Sequence, residues 1–123
     1  MITLGSKVSC MAQTPHNGHC FAIMEKEILR IVEQDSDNRV LSNTLVDRNL
    51  YQNQCTTICY CGNYFAIGTR DGIVSMVERV TGKGIMVYEN RGHDKINFLA
   101  YDPERCTLFV ANKHTLVCIP LLE

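Results

Sequence analysis

The hydrophobic pattern is clearest between Tyr64 and Tyr88, YFAIGTRDGIVSMVERVTGKGIMVY, where polar turns separate three short apolar runs. The runs are rich in Ile, Val, Phe and Tyr, side chains that suit a pleated, half-buried surface. The turns Thr69-Arg70-Asp71-Gly72 and Thr81-Gly82-Lys83-Gly84 carry residues that tolerate the left-handed backbone of a tight hairpin. The pattern predicts a three-stranded antiparallel meander.

The rest of the chain repeats this pattern, and a fixed spacing is the signature of a repeat architecture. Tyr64-Phe65-Ala66-Ile67-Gly68-Thr69-Arg70 lines up with Thr107-Leu108-Phe109-Val110-Ala111-Asn112-Lys113, 43 residues on. The same offset carries Ile73-Val74-Ser75-Met76 onto Leu116-Val117-Cys118-Ile119. In the other direction, Phe21-Ala22-Ile23 matches Phe65-Ala66-Ile67 at 44 residues, and Ile28 to Glu33 matches Ile73 to Glu78 at 45. A preceding strand repeats as well: Val8 to Pro15 corresponds to Ile96 to Pro103, and the middle copy is Cys55 to Tyr60. Three units are therefore expected, at about 7–46, 55–89 and 96–120. The first has strands near 7–12, 20–24, 28–33 and 40–46, and the second near 55–60, 64–68, 73–79 and 84–89. The third has strands near 96–101, 107–111 and 115–119. Glu25 to Gln34 also fits an amphipathic helix, with Ile28, Leu29 and Val32 on one face. Its alignment with the strand at 73–78 favours a strand.

Composition narrows the class without changing this picture. The 123 residues amount to one domain, or a piece of a larger one. With 46% hydrophobic and 20% charged residues, the chain is of the globular kind. A net charge of -1 argues against a chain built to neutralise phosphate backbones, so nucleic acid is not an expected partner. No apolar run reaches the roughly 20 residues that span a bilayer, and the N-terminus lacks the pattern of a secretory signal. No membrane partner is expected. Seven cysteines cannot all pair within one chain and are read as reduced thiols of the cytosol or nucleus.

A period of 43 to 45 residues with four strands per unit resembles the blades of WD40 propellers. The stretch from Asp71 to Lys83 is similar to a blade's third strand and following turn. Asp71 stands at the Asp of the tight turn, Val77-Glu78 at the Trp-Asp pair and Thr81-Gly82-Lys83 at the Thr-Gly-Lys. Gly92-His93-Asp94-Lys95-Ile96 resembles the Gly-His that opens a first strand, and Asp102-Pro103 the Ser-Pro turn. The resemblance covers most of the chain in a degenerate form. There is no Trp, and the Trp-Asp positions hold Val32-Glu33, Val77-Glu78 and Pro120-Leu121. His114 stands where the third unit's turn Asp belongs, so the family's His–Asp hydrogen-bond network has no complete copy.

The resemblance implies an all-β fold of about three consecutive four-stranded antiparallel propeller-like blades, one partial domain over 1–123. It implies a non-catalytic scaffold or adaptor in an intracellular complex, cytoplasmic or nuclear, that binds protein partners through its rim. Propellers use about four to eight blades, so three leave an open arc whose end sheets need cover. The chain is then a fragment or truncated product without independent function, or it assembles with itself, or another chain completes the ring. A different β-sandwich or small barrel is the remaining architecture.

Each candidate chemistry has a plainer reading beside it. Cys55, Cys59 and Cys61 share a strand parity, and with His93 or His114 they suggest a metal site. Their C-x3-C-x-C spacing lacks the second ligand pair of a zinc knuckle, so small apolar residues filling a sheet interface are expected instead. His16, His19, His93 and His114 fall in or beside turns, with nothing to bring one to a particular thiol, and no serine elbow is present. No catalytic group, metal or cofactor is expected. The specific interaction feature is a set of cations. Lys26, Arg70 and Lys113 occupy equivalent turns, and Arg91, His93 and Lys95 lie just before a first strand. On one rim they form a row suited to an acidic or phosphorylated peptide. Glu25, Glu27, Asp71 and Asp94 stand beside these cations and partly cancel them.

Overall fold

The computed structural model describes residues 8–13, 20–25, 28–37, 39–51, 55–90, 92 and 94–121. They form three antiparallel sheets, each a meander in chain order. The first sheet contains β1 (Val8–Gln13), β2 (Cys20–Glu25), β3 (Ile28–Gln34) and β4 (Val40–Leu45). The second contains β5 (Cys55–Cys61), β6 (Tyr64–Thr69), β7 (Ile73–Glu78) and β8 (Gly84–Glu89). The third contains β9 (Phe98–Asp102), β10 (Thr107–Ala111) and β11 (Leu116–Pro120). Consecutive strands pair because connections of two to six residues leave no room for a crossover. The expected strands are all present, and the stretch open to a helical reading is β3.

The sheets stack face to face, with the first strands as neighbours: β1 packs against β5, and β5 against β9. The outer strands β4 and β8 are mostly exposed. Two cores lie between the sheets. Between the first and second, Met24, Leu29 and Ile31 meet Ile58, Phe65, Ile67 and Val77. Between the second and third, Ala66, Val74 and Met76 meet Ile96, Leu108 and Val110. The middle sheet is thus covered on both faces, which is why its inner strands read as nearly continuous apolar runs.

Two departures from the expected strands have physical causes. Ile96 lies before β9 rather than in it, because its N–H donates to the Thr69 carbonyl of the second sheet (3.1 Å). Its side chain is fully buried there. Gly68 makes the room: a Cβ at that position would come within 2.6 Å of the Ile96 methyl. The second departure is in β5, where the register shifts between Cys55 and Thr57. The bulge reverses the parity of the strand above it. Cys55 therefore faces the first sheet, while Cys59 and Cys61 face the third.

The link from β4 to β5 ties the first two sheets together. Asp47 caps a short 3₁₀ turn, Arg48–Leu50, by accepting from the Asn49 N–H (3.0 Å). Its own N–H donates to the Gly82 carbonyl at the β7–β8 turn (2.9 Å). Gly82 has φ +74, and any side chain there would strike the Leu45 carbonyl, so the turn can dock only as glycine. Tyr51 completes the link. Its buried hydroxyl accepts from the Leu29 N–H (3.1 Å).

Candidate functional site

The β6–β7 turn is fixed from within and from the next sheet. Gly72 N–H donates to the Thr69 carbonyl (3.2 Å), and Ile73 N–H to the Thr69 hydroxyl (3.2 Å). The segment leading to β9 then wraps the turn. Asn90 N–H donates to the Gly72 carbonyl (2.7 Å), and the Asn90 side chain donates to the Asp94 carbonyl (3.4 Å). Gly72, at φ +83, lies so close to the Asp94 carbonyl that no Cβ fits between them. Beyond Ile96, Asn97 N–H donates to the Ala111 carbonyl at the start of the β10–β11 turn (2.9 Å). In that turn the Asn112 carboxamide oxygen accepts from the N–H groups of His114 and Thr115, both at 2.8 Å. It organises the turn where the family places Asp, while His114 points to solvent.

These bonds bring three of the expected cations to one end of the second and third sheets. Arg70 is in the β6–β7 turn, Lys95 in the wrapping segment and Lys113 in the β10–β11 turn, and all three are exposed. Arg79 pairs with Glu33 and Arg105 with Asp102, and none of these three cations takes part in either pair. Asp94, exposed, and Asp71, half-buried, stand beside them as the sequence indicates. Lys26, Arg91 and His93 lie outside the described residues.

The cysteine trio is not brought together, because the β5 bulge sends Cys55 to the opposite face from Cys59 and Cys61. The shared parity expected of the three holds only for an unbulged strand. Among the described residues no group of three His, Cys, Asp or Glu is arranged to hold a metal. Cys61 donates to Cys59, and that bond pulls the Cys59 thiol below its ordinary value despite burial. The same bond, reinforced by burial, pushes Cys61 well up. Cys20 is also raised, by burial first and then by the Glu33 carboxylate.

One pocket, of about 190 Å³, opens between the middle sheet and the 3₁₀ turn. Ser75 and Thr69 form its buried floor, Leu50 and Ile73 its walls, and Asn49, Asp71 and Met86 its mouth. The Ser75 hydroxyl is buried with no hydrogen-bond partner among the described residues. Sequence reading passed over it as an ordinary strand residue. The signal was a lone hydroxyl in IVSMVE, a strand otherwise apolar on both faces until its last residue.

No family model and no curated protein sequence matches the chain. Among solved structures it is similar to the crystal structure of RRP9 WD40 repeats, with a TM-score of 0.67 and 16% identity. The match covers 89% of this chain, which spans 33% of the length of that one. At this identity the likeness is one of fold alone. Meandering sheets of four, four and three strands, stacked through their first strands, give the chain the fold of a partial WD40 β-propeller.

Proposed function

We propose that the chain is a non-catalytic protein–protein interaction scaffold in an intracellular complex, cytoplasmic or nuclear. Its binding surface is the end that carries Arg70, Lys95 and Lys113, which Lys26, Arg91 and His93 would extend by their place in the sequence. The partner is an acidic or phosphorylated peptide. The supporting observation is that backbone hydrogen bonds through residues 90–97 hold exposed cations from three separate segments at one end of two sheets. Arg70 offers a two-pronged contact to a carboxylate or phosphate, and the lysines add charge without demanding one geometry. Fluorescence anisotropy with a doubly phosphorylated peptide and its unphosphorylated form tests this. Arg70→Glu combined with Lys113→Glu should weaken the phosphopeptide by about tenfold or more, since hydrogen bonds to charged groups contribute about 1.5–3 kcal/mol each. Unchanged affinity in the charge-reversed chain sinks the reading.

A second reading concerns what covers the third sheet. Its far face presents Phe98 and Leu116, 71% and 66% exposed, and the chain spans only a third of the WD40 chain it matches. Further blades, from a longer chain, a second copy or another protein, would bury that face. Sedimentation of the 123-residue chain checks it: a single-chain mass together with cooperative unfolding argues that no cover is needed.

A further inference from the structure

We propose that the pocket between the middle sheet and the 3₁₀ turn receives one uncharged carboxamide side chain, glutamine or asparagine, of a partner protein. This is independent of the cation row, which lies at the sheet end and would attract an acidic group. The buried floor of the pocket carries the argument. Ser75 pairs with Ile67 across the sheet, and Thr69 stands two residues beyond Ile67, so Ser75 and Thr69 share one face. Ser75 is 1% exposed, and its hydroxyl has no partner among the described residues, although buried polar groups are as a rule bonded. The Thr69 hydroxyl accepts from the Ile73 N–H, which leaves its own hydrogen to give. The neighbouring strand is irregular at the same point. Val74 pairs with Tyr88 and Ser75 with Met86, so Val87 is the additional residue of a bulge, a device that re-aims side chains beside sites.

Size and charge select the guest. At about 190 Å³ the pocket is smaller than the ~300–1,000 Å³ sites that hold whole small molecules, and it suits a single side chain. Leu50, Ile73 and Met86 are apolar and match the methylenes of such a guest. The lining has no Lys, Arg or His to neutralise an acid. Its carboxylate, Asp71, already has a partner in the structure, so a cation finds no open counter-charge. A charged guest of either sign would therefore lose hydration without compensation. An apolar guest would leave Ser75 unsatisfied. A carboxamide carries an acceptor oxygen and two N–H donors on adjacent positions, so it can accept from Thr69 and donate to Ser75 at once. Asn49 and Met86 are exposed at the rim, so the guest enters from solvent.

Amide NMR titration of the chain tests this with three capped amino acids of similar shape: N-acetyl-glutamine methylamide and its glutamate and methionine counterparts. The glutamine probe should give saturable shifts at Asn49, Thr69 and Ser75, with an affinity on the order of millimolar for so small a ligand. The glutamate probe should bind about tenfold more weakly or worse, because its charge would be buried without a counter-ion. The methionine probe, which cannot bond the hydroxyls, should bind about fivefold more weakly. Ser75→Ala should weaken the glutamine probe about fivefold and leave the methionine probe unchanged, so the retained methionine binding shows that the pocket is still formed. The same variant should keep or raise the melting temperature, since it removes an unpaired hydroxyl. No saturable shift at these amides, glutamate or methionine binding as well as glutamine, or equal effects of Ser75→Ala on the glutamine and methionine probes overturns the proposal. So does a marked fall in the melting temperature of Ser75→Ala, which would mean that the hydroxyl already has a partner.

Discussion

The middle and third sheets carry the same strand pattern 43 residues apart, yet their burial differs. Every side-chain position from Phe65 to Thr69 is buried, whereas only Leu108 and Val110 are buried along β10. The difference comes from neighbours rather than from the strands themselves. The middle sheet has a sheet on each side, and the third packs against one. Gly68 and Ala111 occupy equivalent places and show the same thing in miniature. Gly68 must be bare because Ile96 presses on it from the segment before β9, whereas the equivalent Ala111, half-buried, carries a methyl group.

The comparison can be broken most sharply by truncating a phenylalanine on each side. Phe65→Ala removes a 1%-exposed ring from between two sheets and should cost about 3–5 kcal/mol in urea unfolding. Phe98→Ala, on the open face of the third sheet, should stay within about 0.5 kcal/mol of the parent. Equal losses would mean that the third sheet's far face is covered in solution. The glycine pair comes next. Gly68→Ala should destabilise by about 1–3 kcal/mol through the clash with Ile96, and combining it with Ile96→Ala should give a smaller loss than the two singles summed. The mirror change Ala111→Gly should cost only about 0.5–1 kcal/mol, the backbone-entropy price of a strand glycine. A smaller effect probes the seam directly. The Thr56 hydroxyl donates to the Ile96 carbonyl at 2.6 Å, with the Gly68 carbonyl at 3.1 Å. Thr56→Val should lower stability by about 1 kcal/mol, visible as a lower denaturation midpoint at unchanged slope.

The strands and sheets were legible in the sequence because alternation, β-branched runs and glycine turns are local signals that neighbours reinforce. The single-residue ends were less so. Ile96 looks like a strand residue, but its N–H is bonded to the Thr69 carbonyl of another sheet. The β5 bulge is invisible for the same reason. Cys-Thr-Thr-Ile-Cys reads as plain alternation, and only pairing with β6 reveals the extra residue. For the candidate site, the sequence placed Arg70 and Lys113 in matching turns and Lys95 before a first strand. It could not show that Asn90 and Asn97 stitch these segments together, because that depends on through-space bonds to Gly72 and Ala111. The pocket was hidden further still. Its residues come from three separate stretches, and a cavity has no pattern of its own along the chain.

The bulge in β5 also bears on how this chain tolerates change. β5 faces two sheets, and one additional residue switches its phase between them. Losing a single codon at Thr56 would leave the composition almost untouched. It would convert the bulge into plain alternation, with Cys55 and Ile58 two residues apart and still on the face of the first sheet. Removal of a residue anywhere else in the strand would send the side chains beyond it to the opposite sheet, so in-frame deletions should be purged away from the bulge and better tolerated at it.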